Sequence, residues 1–350
     1  MSDLPQHLSG LVSTFGKNIV HEQRLADLNE LLAPLEAWLE QDFQAPIHPV
    51  TFVLGPPRSG TTVTGQLIAR SGLFGFISNF AARFWGAPAL GLRIERDLGI
   101  SDESLSGPLW SNRGATRGWR EPSEFGYFWS RFFDLGQTTH SLTEPGRKAF
   151  DAGGLRRAVA AMEGVTGKPM AFKNNTWFTF HAELLEKVFP NCVLVVCRRD
   201  PFFIAQSLWE QRKDLYGDVG HWWSVRPPNY GDIKNLPAIE QIAAQAVNIV
   251  VEMERALQRV KSAKCIDACY ARIASEPHRV IAEIASAAQA NDGAIQNALS
   301  HLPDRLEFRD EVRLEPAIAH DLREAILREL KKGRASGMLA GSTGSSSEKK

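Results

Sequence analysis

The feature that most limits how this chain can fold is a short apolar run, Val50-Thr51-Phe52-Val53-Leu54, stopped by Gly55-Pro56-Pro57 and followed from Thr61 to about Arg70 by a helical pattern. The β-forming residues predict a strand, the glycine and prolines a break, and the periodic segment a helix. A buried strand needs partners on both sides. Pro169 to Phe172, Cys192 to Cys197 and Lys264 to Tyr270 are further strand candidates, and helical patterns separate or follow them at His181 to Val188, Pro201 to Lys213, Ala238 to Val260, Pro277 to Gln289 and Pro316 to Lys332. This alternation predicts an α/β fold with a parallel sheet flanked by helices.

At 350 residues the chain can bury one large core, and its composition is even up to the last stretch. Three parts are expected: a helical extension over 1–48, a main domain over 49–332 and a disordered polar tail over 333–350. The extension rests on Leu25, Leu28, Leu31, Leu32, Leu35, Trp38 and Leu39, whose spacing predicts an amphipathic helix with a structural role. Phe74 to Lys168 is longer than a crossover needs and suits a substrate-facing insertion. Forty basic residues balance forty acidic ones, so there is no field for a nucleic acid or an anionic membrane, and any anion site must be local. No run approaches the roughly twenty apolar residues of a membrane span, and no signal peptide is visible. Four cysteines without a finger-like Cys/His pattern read as core packing in a cytoplasmic chain and not as a metal site.

Gly55 to Thr62 has the design of a phosphate loop. Glycines let backbone N–H groups converge on an oxyanion, and the next helix presents its positive end. Nucleoside triphosphatases place a lysine before the final Ser/Thr and hold Mg²⁺ with an acid closing a later strand. Here Thr61 takes the lysine position, the cation has moved to Arg58, and the later strand ends Cys197-Arg198-Arg199. Metal-assisted phosphoryl transfer is disfavoured on both counts.

Pro57-Arg58-Ser59-Gly60-Thr61-Thr62 resembles the 5′-phosphosulfate loop of the sulfotransferase superfamily, whose members use 3′-phosphoadenosine-5′-phosphosulfate (PAPS). Arg199-Asp200-Pro201 with Ser207 resembles the same family's 3′-phosphate motif in both type and spacing. The resemblance implies a P-loop-like three-layer domain in which Arg58, Ser59, Gly60, Thr61 and Thr62 hold the 5′ end of the nucleotide and Arg199 and Ser207 its 3′-phosphate. Tyr270 resembles a tyrosine placed near adenine, while Val63 stands where many members have a stacking tryptophan. Lys331-Lys332-Gly333 resembles, faintly, a basic turn on the 3′-phosphate.

The resemblance also implies a general base, either a histidine upstream of the 3′-phosphate motif or a glutamate in the insertion. Lys173-Asn174-Asn175 keeps the lysine of the first pattern and lacks its histidine. Lys173 is then a candidate contact to the sulfuryl group. Glu121 and Glu124 are candidates for the base, read as heading a helix with Phe125, Phe128, Trp129, Phe132 and Phe133 on its apolar side. Aromatic burial would tune such a carboxylate. Acidic residues also favour any helix N-terminus. His181 is the reserve, and His140 and His221 lie in loops. Trp209, Tyr216, Trp222, Trp223 and Tyr230, interleaved with Arg212, Lys213 and Arg226, form a candidate acceptor wall or a packed loop. The expected activity is metal-independent sulfuryl transfer from PAPS to a hydroxyl of a small molecule. The alternatives are a divergent phosphotransferase and a non-catalytic nucleotide-binding protein.

Overall fold

The computed structural model describes residues 17–100, 105, 108–136 and 138–335. Its main elements are helix α1 (Ile19–Glu40), strand β1 (Thr51–Leu54), α2 (Thr61–Arg70), α3 (Pro88–Asp97), α4 (Gly126–Phe132), α5 (Ala152–Thr166), β2 (Ala171–Lys173), α6 (Ala182–Val188), β3 (Val193–Val196), α7 (Pro201–Tyr216), α8 (Ala238–Gln258), β4 (Lys264–Asp267), α9 (Pro277–Ala287) and α10 (Pro316–Ala335), with further short helices between them. The strands form one parallel sheet in the order β2-β1-β3-β4. The chain leaves β1 toward β2 and leaves β3 toward β4, so the crossovers diverge between β1 and β3. The carboxyl ends of that pair therefore border the crevice where open α/β sheets bind ligands.

Strand alternation builds the layers. Phe52, Leu54, Leu194 and Val196 face a core with Trp129, Leu155, Val159, Phe178 and Met253, on the side of α4, α5 and α8. Val53, Val193 and Val195 face the opposite side, against Leu67 and Ile68 of α2 and Val280, Ile281 and Ile284 of α9. A third cluster joins α7, α8 and α10 through Leu208, Ile242, Val247 and Leu322. The expected three-layer arrangement is present. The insertion contains two helices that the sequence does not announce, α3 and α5.

Several local expectations change. α1 packs only in part as predicted: Leu25 lies against the core and Leu32 and Leu39 are half-buried, but Glu22, Asn29 and Glu36, seven apart, are the buried positions, whereas Leu31 is 76% and Trp38 67% exposed. The reason is backbone demand. The Asn29 side chain accepts from Gly86 N–H and donates to the Arg83 carbonyl, and the Glu36 carboxylate accepts from Ala89 and Leu90 N–H in the first turn of α3. Unpaired amides at a helix start cost more than apolar side chains left in water. β4 is an edge strand, so Cys265 is exposed while Cys192 and Cys197 are buried, and core packing accounts only for the latter two. Tyr270 begins a short helix, Tyr270–Ser275, instead of ending β4. The polar tail predicted over 333–350 falls, beyond Ala335, outside the described residues.

Candidate active site at the carboxyl ends of the strands

The loop after β1 bends where two glycines permit it. A side chain at Gly55 (φ +153°) would meet the Cys197 carbonyl at 2.5 Å, so only glycine lets the loop leave between β1 and β3. Gly60 (φ +95°) caps α2, and a Cβ there would lie 3.1 Å from Cδ2 of Tyr270. Arg58 adopts φ +69° without being glycine. That conformation costs a side chain about 1–3 kcal/mol and aims it where an ordinary turn would not. Thr179, fully buried, brackets the loop start by donating to the Gly55 carbonyl at 3.0 Å and accepting its N–H at 3.3 Å. Nothing in the sequence had singled it out.

Ser59 is buried and its hydroxyl donates to the Pro56 carbonyl at 2.7 Å, closing the loop on itself. Thr61 is buried and Thr62 partly exposed. No side chain caps α2, and its first bond runs from Thr64 N–H to the Gly60 carbonyl at 3.0 Å. The amides just before Thr64 therefore point out of the helix end, where an anion is favoured.

The second motif meets the first. Arg58 Nε donates to Ser207 Oγ at 2.9 Å, and Arg199 Nη1 donates to the Arg58 carbonyl at 2.7 Å. Among the described residues no carboxylate forms an ion pair with Arg58. Burial, and next the like charge of Arg199, lower its pKa from the usual arginine value. The Arg199 guanidinium lies 4.4 Å from the Tyr270 ring centroid, and Tyr270 stacks on Phe308 at 5.4 Å. Its neighbour Arg198 turns away to Glu254 and Asp267, both at 2.7 Å, and is structural. Asp200 caps α7 through Phe202 N–H, with Pro201 in the first turn.

Lys173 ends β2 in register with Val53 and so emerges on the same side of the sheet. Its ammonium pairs with Glu124, whose side chain is 41% exposed. Asn174 holds this glutamate by donating to its main-chain carbonyl at 2.9 Å. The helix expected at Glu121 begins only at Gly126, after Phe125 at φ +53°. Glu121 and Glu124 consequently do not share a helical face: Glu121 binds Gln66 at 2.8 Å and Arg70 at 3.1 Å, while Glu124 faces Lys173 and the tight turn at Gly114. The turn's Arg113 Nε donates to Gln211 Oε1 at 3.2 Å, one helical turn past Ser207, which ties the insertion to α7. A small apolar cleft bordered by Gly65, Ile68, Phe76, Ile77 and Phe172 reaches Lys173.

The histidines lie apart from this constellation. His181 is fully buried; Nδ1 faces the Trp177 carbonyl at 2.9 Å and so carries the proton, while Nε2 accepts Leu142 N–H at 3.0 Å. Burial pushes its pKa down to about 4. His140 accepts Arg226 N–H, and burial, then Arg226, push it down to about 3. The aromatic loop packs onto α8: Arg212, fully buried, binds Gln241, Gln245 and the Val219 carbonyl, and Gln245 also holds the carbonyls of Trp223 and Val225. Burial lowers the Arg212 pKa to about 10. Lys331 to Gly333 lie in the last turns of α10, where Lys332 pairs with Glu329. The segment beside Arg199 is Glu307 to Arg313.

A model of the sulfotransferase family matches residues 49–291. The chain belongs to the sulfotransferase family. Among solved structures, the sulfotransferase STF9 from Mycobacterium avium aligns over 95% of this chain and 91% of that one, with 17% identity and a TM-score of 0.51. That likeness concerns the fold. The sulfotransferase STF1 from Mycobacterium tuberculosis H37Rv aligns over 92% and 91% of the two chains, with 14% identity and a TM-score of 0.47. No curated protein matches the chain. In this sulfotransferase, Arg58, Ser207, Arg199 and Tyr270 are joined by direct contacts, Lys173 pairs with Glu124, and His181 lies within the core.

Proposed function

We propose that this sulfotransferase moves the sulfuryl group of PAPS to a hydroxyl of a small-molecule acceptor. The observation that carries the proposal is the direct linkage of Arg58, Ser207 and Arg199, which joins two cationic sites built from separate strand ends. A nucleotide with anionic groups at both its 5′ and 3′ positions matches that pair, and one lacking the 3′-phosphate would use only half of it. The donor chemistry fits: guanidinium, hydroxyl and main-chain N–H groups, with no carboxylate ion-paired to Arg58 among the described residues. Beside the loop, the end of β3 bears Arg198 and Arg199 where a phosphotransferase would carry its acidic metal ligand.

In the reaction, the acceptor oxygen forms a bond to sulfur while the bond from sulfur to the phosphate oxygen breaks, and the electron pair leaves on the phosphate. Arg58 and the amides at the start of α2 stabilise the charge that builds there. Lys173 balances charge on the sulfuryl oxygens, and the half-exposed Glu124 takes the acceptor's proton. The apolar cleft reaching Lys173 is the proposed entry for the acceptor. Among the described residues no helix is long and apolar enough to cross a membrane, and a nucleotide co-substrate with unpaired cysteines suits a cytoplasmic site of action.

The test compares adenosine 3′,5′-bisphosphate with adenosine 5′-phosphate by calorimetry, using the unaltered protein and Arg199→Ala. The unaltered protein should prefer the bisphosphate, and the variant should lose at most about 1.5–3 kcal/mol of that binding only, the worth of a charge-assisted bond. Equal affinity of the unaltered protein for the two nucleotides would sink the proposal.

A further inference from the structure

We infer that Asp310 competes with the ligand's 3′-phosphate for Arg199 and thereby sets how long the nucleotide product stays bound. The inference rests on the reading of Arg199 as the 3′-phosphate site. The geometry behind it is a filled guanidinium. Arg199 Nε donates to Asp310 Oδ1 at 2.7 Å, Nη2 lies 2.5 Å from the same oxygen and 3.3 Å from the Arg309 carbonyl, and Nη1 holds the Arg58 carbonyl. The two side chains are only 9% and 12% exposed, so the pair is largely shielded from water and salt. An oxyanion is bound bidentately by the planar fork of an arginine. Here the Nε and Nη2 edge of that fork already carries a carboxylate from the same chain.

Asp310 is placed to yield. Glu307, Phe308 and Arg309 are exposed and without regular structure, and the segment is anchored on either side. Leu306 N–H bonds the Ala274 carbonyl at 2.8 Å. Gln206 donates to the Glu311 carbonyl and accepts Arg313 N–H, and Arg313 forms two bonds of 2.9 Å to Glu210. Between these anchors, contacts to the rest of the fold are the Arg199 pair, the Arg309 carbonyl and the Phe308 and Glu307 contacts with Tyr270. Such a span opens locally at far lower cost than global unfolding. The charges around Arg199 are also accounted for: Arg58 is bonded to Ser207, Arg309 is paired with Glu307, and Arg313 with Glu210. Asp310 is therefore the one acid that a phosphate must displace among the described residues.

A phosphate monoester brings close to two negative charges and three acceptor oxygens against the single charge of a carboxylate. It wins the fork once bound, yet gains only the difference between the two interactions. The bisphosphate left after transfer carries the same 3′-phosphate, so a built-in competitor shortens its stay. A nucleotide without that phosphate leaves Asp310 in place and is indifferent to it.

The experiment measures affinity and release of adenosine 3′,5′-bisphosphate and of adenosine 5′-phosphate in the unaltered protein, Asp310→Asn and Asp310→Ser. Removing the charge should tighten the bisphosphate about tenfold, mostly through slower release, with the monophosphate unchanged. Unchanged monophosphate binding also shows that each variant folds, and two variants guard against the failure of one. Equal or weaker bisphosphate binding in both variants, with the unaltered protein still preferring the bisphosphate, overturns the competition and makes Asp310 a support for Arg199. Loss of that preference in the unaltered protein removes the 3′-phosphate assignment itself, and the inference with it.

Discussion

Gly60→Ala tests the loop at its tightest point, because two separable costs meet there. The first is conformational: at φ +95° a Cβ crowds its own main chain, and left-handed geometry costs an L-residue about 1–2 kcal/mol. The second is steric. The new methyl carbon would stand 3.1 Å from Cδ2 of Tyr270, whose ring is held by the Arg199 guanidinium and by Phe308. Forcing a methyl into a packed contact costs about 1–3 kcal/mol, so the total is about 2–5 kcal/mol. Gly72, just past the other end of α2, separates the terms: it has φ +66° and nothing within 4 Å of its Cβ position. Gly72→Ala should therefore cost only about 1 kcal/mol. Urea unfolding of both variants, together with Tyr270→Ala and Gly60→Ala/Tyr270→Ala, closes a double-mutant cycle. The double variant should recover most of the steric share. If Gly60→Ala were no more costly than Gly72→Ala, or if removing the Tyr270 ring gave no recovery, the packing of that ring on the phosphate loop would be refuted.

Two further outcomes follow from the geometry. Glu124→Gln should lower kcat by about 10²–10⁴-fold with nucleotide affinity retained, as single-turnover rates and calorimetry would show; undiminished turnover would remove Glu124 as proton acceptor. Acid should destabilise the fold through His181 and His140, whose folded-state pKa values, about 4 and about 3, lie below the ordinary histidine value. Their stabilising contribution is whole above pH about 6.5 and shrinks as pH falls, because only the unfolded chain takes up protons there; the His181 loss is complete near its folded value and amounts to about 3 kcal/mol. His140→Gln should flatten that slope in pH-dependent urea unfolding, and an unchanged slope would count against burial of a neutral ring.

How much of this was legible in the sequence depended on how local the causes were. The first strand, the loop, the helix after it and the strand bearing Arg199 could be read because periodicity and glycine placement act within a few residues. The α1 face was misread for the opposite reason: its buried Asn29 and Glu36 answer unpaired amides of Gly86, Ala89 and Leu90, which no nearby residue announces. The helix expected at Glu121 started later because Phe125 takes a left-handed conformation, leaving Glu124 to Lys173 and Glu121 to Arg70.

Of the candidate residues, the sequence by itself pointed to those that belong to contiguous motifs, Arg58 to Thr62 and Arg199 with Ser207, since a strand end, a glycine turn and a helix start are local physics. Only the tertiary structure decided which distant groups complete them. It brought Asp310 and Phe308 onto Arg199 and Tyr270 across more than a hundred and about forty residues respectively, committed both ring nitrogens of His181 to main-chain partners, and set Thr179 against Gly55. Hydrogen-bond satisfaction and charge pairing act between whatever chain segments the sheet brings together, and that proximity has no signature along the chain.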